Sequence, residues 1–277
     1  MCRILGYLGP QISIDRLVLE PEHSMEVQSY QPKELDAAIL NGDGFGLGWH
    51  GAAAQASEPY VYRNILPMWN DRNLSDMCRY IQAKNFVVNL RSASSKMPID
   101  LSNCQPLKYK NVLFVHNGLI ENFFESAQRP LREMLCDEAY RSIQGNTDSE
   151  HIFALLRHHL EMEPGLDLAE ALRRTIEDLE PIIQKANVRM AANIILATGD
   201  RLIALRYDNK QKAPSLYFIK NAKSFPNSVI LTSEALFETE ATAGESDWQP
   251  YNQGELVSID SDLTMKTIAT FSNPSVS

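Results

Sequence analysis

An α+β layered architecture, two β-sheets covered by helices, is the fold class that this sequence predicts, on three observations. Short β-rich segments gather at both ends of the chain, two helical patterns lie between them, and no internal repeat, low-complexity tract or linker divides the whole. One domain spanning residues 1–277 is therefore expected, with 44% hydrophobic and 22% charged residues, the composition of a chain that buries a packed core.

The elements follow in order. CRILGYLG at the start is apolar with glycine interruptions and reads as a first strand, followed by a Pro-containing turn at Pro10. Residues 15–40 show no clean period. NGDGFGLGW, from Asn41 to Trp49, reads as a turn entering a strand with Phe45, Leu47 and Trp49 on one face, its alternate glycines marking close backbone approach. NDRNLSDMCRYIQAK (70–84) predicts a helix, and NFVVNLR (85–91) and NVLFVH (111–116) predict buried strands. Thr147 and Glu150 have the spacing of a capping box, and Ile152, Phe153, Leu155, Leu156 and Leu160 then keep helical period. A second helix is expected from about Leu168 to Leu179, with Pro181 ending or kinking it. From Ala192 onward ANIILAT, RLIALRY, SLYFIK, SVILTS, ELVSID and MKTIAT read as successive strands, and the two termini are candidates for one sheet.

Composition excludes several classes of function. A net charge of −9 without a Lys/Arg cluster argues against nucleic acid as a partner, since phosphate binding needs concentrated positive charge. No apolar stretch approaches the roughly 20 residues that span a bilayer, and MCRILGYLGP lacks the regions of a signal peptide, so no membrane association and a cytoplasmic location are expected. Cys2, Cys78, Cys104 and Cys136 are widely spread with no CxxC pair, which fits reduced thiols rather than a metal site or disulfide framework. His151, His158 and His159 lack a second ligand set, and the Asn41–Gly48 loop lacks the lysine of a phosphate-binding loop. No metal and no cofactor are expected, leaving a small molecule as the partner; homo-oligomerisation stays open.

Cys2 follows the initiator methionine directly. Methionine excision would free its α-amine, with a pKa near about 7.7–8.0, which can take the thiol proton directly or through a water. By position alone Cys2 reads rather as a buried apolar thiol of a first strand, and the other candidate residues must shift that reading. His116, Asn117 and Gly118 follow the strand NVLFV and are expected to leave the sheet where a side-chain amide and a glycine N–H converge as oxyanion donors; a plain Asn-Gly turn is the alternative. Arg91 ends one strand and Asp148 starts the capped helix, which offers one group for an α-carboxylate and one for an α-ammonium. Taken singly, Arg91 also reads as a surface ion-pair partner and Asp148 as a complement to the helix dipole.

Together the initial Met-Cys, Arg91-Ser92-Ala93, His116-Asn117-Gly118 and Asn146-Thr147-Asp148-Ser149-Glu150 resemble the class II glutamine amidotransferase family of N-terminal-nucleophile hydrolases, in order and spacing across most of the chain. MCRILGYLGP, PEHSMEVQSY and NGDGFGLGW resemble its stand-alone members of ergothioneine biosynthesis. The resemblance implies a four-layer αββα sandwich and attack of Cys2 on a γ-glutamyl carbonyl to give a thioester that water resolves. It implies catalytic roles for Cys2, Asn117 and Gly118, with Asn117 and Gly118 holding the oxyanion, and substrate-binding roles for Arg91, His116 and Asp148. γ-Glutamyl-hercynylcysteine sulfoxide is the implied substrate; a glutaminase subunit, a glutathione-type γ-glutamyl peptidase and an inactive glutamyl-binding module are the alternatives. Two positions depart from the family pattern: Ser94 where threonine is frequent, and Gln105 where histidine is, the latter expected to alter the pocket beyond the γ-carbonyl. PEHSMEVQSY is carried by likeness alone, with Pro21 and His23 shaping either a loop over the site or a plain surface loop.

Overall fold

A computed structural model describes residues 2–34, 40–51, 58–93, 98–239 and 247–272; Met1 and Ser94 lie outside them. In chain order the strands are β1 (Arg3–Ser13), β2 (Phe45–Trp49), β3 (Tyr60–Asn64), β4 (Gln82–Leu90), β5 (Leu107–Tyr109), β6 (Val112–Ile120), β7 (Met190–Ala197), β8 (Arg201–Asp208), β9 (Tyr217–Ala222), β10 (Phe225–Thr232), β11 (Gln249–Pro250), β12 (Glu255–Asp260) and β13 (Met265–Thr270). The helices are α1 (Asp15–Val18), α2 (Met25–Tyr30), α3 (Leu74–Tyr80), α4 (Phe123–Ser126), α5 (Gln128–Met134), α6 (Asp137–Arg141), α7 (Asp148–Met162) and α8 (Leu168–Ala186).

The strands form two antiparallel sheets, β11-β9-β10-β1-β4-β2-β3 and β13-β12-β8-β7-β6-β5. Period-two alternation sorts their side chains into three cores. Leu5, Tyr7, Phe86, Val88 and Leu90 face α1–α3 with Leu17, Met25 and Cys78. Phe114, Ile194, Leu196 and Leu205 face α7 and α8 with Ile152, Leu156, Leu172 and Ile176. Ile4, Val87, Leu113, Val115, Ile195 and Val257 meet between the sheets. The order is therefore helices, sheet, sheet, helices, the four-layer αββα sandwich expected from the resemblance.

Several local expectations change. Pro10 does not turn the chain: β1 continues to Ser13, absorbing the missing N–H where its register with β4 shifts between Leu8 and Ile12. The helix expected over 70–84 shrinks to α3, because Gln82 to Lys84 pair into β4. Pro181 lies within α8, whose buried face runs on to Ile183. The termini part company, β1 and β13 lying in different sheets. His116-Asn117-Gly118 does not leave the sheet: β6 runs on to Ile120 because β7 pairs with it throughout, Asn117 opposite Asn193 and Gly118 opposite Ala192.

α7 begins at the expected cap, Thr147 Oγ1 accepting from Glu150 N at 3.2 Å. Glu150 does not reach back to Thr147; its carboxylate accepts from Gln144 N and Gly145 N, both at 2.8 Å, and so shapes the approach to the helix.

The glycines of β2 let the sheets touch. A methyl group on Gly46 would sit 2.3 Å from the Gln105 carbonyl oxygen and 2.8 Å from that of Tyr62, both backbone atoms. Gly46→Ala is therefore expected to destabilise by roughly 1–3 kcal/mol or more, measured by denaturant unfolding, since backbone must move to admit it.

Candidate active site

The site is built where β1 and β4 of one sheet lie over β6 and β7 of the other. Gly6 approaches Ile195, and Gly46 lies against Gln105, whose side chain binds the His116 backbone. Gly46 is the register neighbour of Asn89, which is opposite Ile4, so the start of β1 and the middle of β6 lie at one level. Ile4 faces the gap between sheets, and alternation puts Cys2 on that same face. Its thiol is half-buried, 3.8 Å from the Ser92 carbonyl oxygen.

What fixes Cys2 is the residue after it. Arg3 is turned to the opposite face and buried, donating from Nη1 to the Cys2 carbonyl oxygen (3.1 Å), from Nη2 to that of Glu34 (2.6 Å) and from Nε to Glu234 Oε1 (2.7 Å). Glu234 also meets His23 Nε2 (2.6 Å) and accepts from Lys33 N (2.8 Å) and Glu34 N (3.0 Å). Burial alone would raise its carboxyl, but the His23 hydrogen bond, the Arg3 charge and the two backbone N–H groups hold it at about 2. Ile4 is pinned from the same loop, its N–H to Ser233 Oγ and its carbonyl from Ser233 N, both at 3.0 Å.

This network accounts for PEHSMEVQSY. His23 is buried against Glu234, Ser24 caps α2 through Val27 N, and Gln28 Nε2 donates to the His23 carbonyl (3.0 Å). Through His23, Ser24 and Gln28 the segment brackets Glu234, and through it Arg3.

Arg91 follows β4 one residue beyond the Arg3–Leu90 pair and so lies beside Cys2. It is buried, with Nη1 on the Asp43 carbonyl (3.1 Å) and Nη2 on that of Pro98 (3.0 Å), which removes the surface ion-pair alternative. Across the gap Asn117 is fully buried, and neither Nδ2 nor Oδ1 has a hydrogen-bond partner among the described residues. In the ladder the N–H groups of His116 and Ile120 point away from β7, to Gln105 Oε1 (2.5 Å) and Asp148 Oδ2 (2.7 Å). Alternation sends the Gly118 N–H the same way, out of the edge of β6 between those two bonds. A Cβ at Gly118 would meet the Ala191 carbonyl oxygen at 1.9 Å.

His116 is placed apart from the cleft. Its ring lies on the helix side of β6, with Nδ1 2.8 Å from Ser149 Oγ and Nε2 3.3 Å from the Ala191 carbonyl. A carbonyl only accepts, so Nε2 carries the proton and Nδ1 accepts from the Ser149 hydroxyl. Burial lowers the imidazole pKa, against the pull of Asp148 and the Ala191 carbonyl, and the ring is neutral. The substrate-contact role expected of His116 is therefore corrected to positioning: it ties β6 to the first turn of α7. Gln105 is tied to the same strand, its Oε1 accepting from His116 N and its Nε2 donating to the His116 carbonyl (3.3 Å).

Asp148 is half-buried at the start of α7, one oxygen on Ile120 N and the other accepting from Ser149 N (2.8 Å). Cys104 is buried near Cys2; desolvation pushes its thiol up, against Arg91 and Arg63. Cys78 is buried in the helix-facing core and its thiol is pushed up to about 12 by desolvation and nearby carboxylates. His151 and His158 are spent locally, on Arg132 Nε and Thr147 O and on Cys136 N. Among the described residues no cluster of metal-ligating side chains forms and no helix is long and apolar enough to cross a membrane.

A family described as glutamine amidotransferases class-II matches residues 19–273. The chain is 31% identical over 265 residues to a probable glutamine amidotransferase, DUG3, of Saccharomyces cerevisiae, covering 87% of this chain and 72% of the relative. It is 30% identical over 234 residues to the γ-glutamyl-hercynylcysteine sulfoxide hydrolase of Mycobacterium tuberculosis, covering 84% of each. In fold it is similar to a glutamine aminotransferase class-II domain protein of Silicibacter pomeroyi, at a TM-score of 0.67 and 23% identity over 96% of this chain and 99% of the other.

The Glu234 carboxylate gives a pH-dependent test. A group held at about 2 rather than 4.5 contributes roughly 3 kcal/mol to folding above pH 4.5, fading as pH falls towards 2. Glu234→Gln should therefore be less stable than wild type by about that amount at pH 7, with the gap narrowing below pH 4.5, in denaturant titrations at several pH values.

Proposed function

The chain belongs to the class II glutamine amidotransferase family and is an amidohydrolase, and on that premise we propose that it cleaves γ-glutamyl-hercynylcysteine sulfoxide through a γ-glutamyl thioester on Cys2. The observation that supports the mechanism is the half-buried Cys2 thiol beside buried Arg91, with a buried Asn117 on the facing sheet whose two polar side-chain atoms are both unpartnered among the described residues. A buried amide left so costs about 1–3 kcal/mol, a cost removed when a developing oxyanion takes its N–H.

In this reading Met1 is removed and the freed α-amine takes the thiol proton. Sγ then bonds to the γ-carbonyl carbon, and Asn117 Nδ2 and the Gly118 N–H receive the oxyanion. Collapse expels the amine, which leaves with the proton from the α-ammonium. Water attacks the thioester, releases glutamate and restores the thiol. Arg91 and Asp148 grip the α-carboxylate and α-ammonium of the glutamyl head, and His116 holds β6 on α7. The 30% identity to the mycobacterial hydrolase over 84% of each chain supports the substrate. The 31% identity to the yeast probable glutamine amidotransferase favours glutamine as the second reading.

Purified protein, its N-terminus checked by mass, should release glutamate faster from γ-glutamyl-hercynylcysteine sulfoxide than from glutamine or glutathione; preference for glutamine selects the second reading, and preference for glutathione a γ-glutamyl peptidase. Cys2→Ala should abolish release while the protein stays folded, and retained turnover would remove the nucleophile assignment. Asn117→Ala should lower kcat by about two to three orders of magnitude with little change in affinity.

A further inference from the structure

Asn89 sits inside the molecule, 1% exposed, and neither Nδ2 nor Oδ1 has a hydrogen-bond partner among the described residues. On β4 its neighbour Val87 joins the core between the sheets, while Phe86, Val88 and Leu90 join the helix-facing core, so Asn89 points at the opposite sheet. Its ladder neighbours supply nothing polar from their side chains: Ile4 on one side, Gly46 on the other. Asn85, on the same face, differs in donating from Nδ2 to the Arg201 carbonyl (3.1 Å).

A buried carboxamide with no partner costs about 1–3 kcal/mol, and an apolar side chain would occupy the position without that cost. Gly46, the ladder neighbour of Asn89, lies against Gln105, whose side chain binds the backbone of His116, and the next residue, Asn117, carries an amide in the same condition. Cys2 precedes Arg3, the partner of Leu90, so the Asn89 side chain is diagonal to Cys2 on one face, a spacing of roughly 7–8 Å that one ligand can bridge. A group that satisfies both sides of such a gap brings an acceptor and a donor together, as an amide does.

We propose that Asn89 is a further substrate-binding residue, its Oδ1 accepting from the N–H of the scissile amide while Asn117 Nδ2 and the Gly118 N–H take the carbonyl oxygen. The inference rests on the reaction proposed above. Asn89 then holds the leaving nitrogen and discriminates amides from esters, whose leaving oxygen carries no hydrogen; a site that accepts a hydrogen bond from its substrate rejects an analogue lacking that donor.

The test is kcat/KM of wild type and Asn89→Leu on a matched pair, a γ-glutamyl anilide and the corresponding γ-glutamyl phenyl ester, with Asn89→Ala read the same way should the leucine variant fail to fold. The expected result is a loss of about tenfold or more on the anilide with the ester within about threefold of wild type. An equal loss on both substrates, or an unchanged anilide rate, overturns the role of Asn89 while leaving the thioester mechanism standing. A wild-type protein that cleaves neither overturns the mechanism, and the role of Asn89 with it.

Discussion

The buried ion pair between Arg3 and Glu234 is the constraint on which the rest of the site depends. A first strand normally frays at its end, and a nucleophile at position 2 would share that freedom. Arg3 removes it by holding the Cys2 carbonyl, while Glu234 gathers Arg3, His23 and the backbone of Lys33 and Glu34 about a single carboxylate. Buried charge is costly unless paired and hydrogen-bonded, and here both conditions are met. Three distant stretches, 2–4, 23–34 and 233–234, are thereby locked together directly behind the thiol.

In front of the thiol the logic is reversed. Side chains that face the gap between the sheets are mostly apolar, yet Asn89 and Asn117 are buried there without partners among the described residues. On the Arg3 side the Arg3 and Glu234 charges are paired, whereas between the sheets the Asn89 and Asn117 amides have no partner among the described residues. Gly46 and Gly118 permit the arrangement, one letting the sheets approach and the other leaving β6 room beside Ala191. The contrast is what the proposed reaction would require: a fixed nucleophile and donors with no competing partner.

Much of this was legible in the sequence. The late strands, the Thr147 cap of α7 and the burial of β4 followed from period and capping chemistry, while the site roles of Cys2, Arg91, Asn117 and Asp148 came from the resemblance alone. Asn117-Gly118 carried a turn signal that pairing with β7 overrode, and Pro10 and Pro181 were absorbed by a register shift and by a helix face with core to bury. His116 was misplaced because a motif gives order along the chain and not the face of the strand. Arg3–Glu234 was out of reach, since its partners stand 231 residues apart and neither has a local signal. Asn89 had one: a polar residue within the apolar run NFVVNLR, on the face that alternation assigns to the core.

In the proposed mechanism Cys2 carries the glutamyl group during turnover. Acid-quenching the enzyme within its first turnovers and mapping peptide masses tests it most directly. The expected result is an added glutamyl unit on the peptide that begins at Cys2, labile to hydroxylamine as a thioester is. Active turnover with an unmodified Cys2 peptide, or a glutamyl unit on another residue, would contradict it.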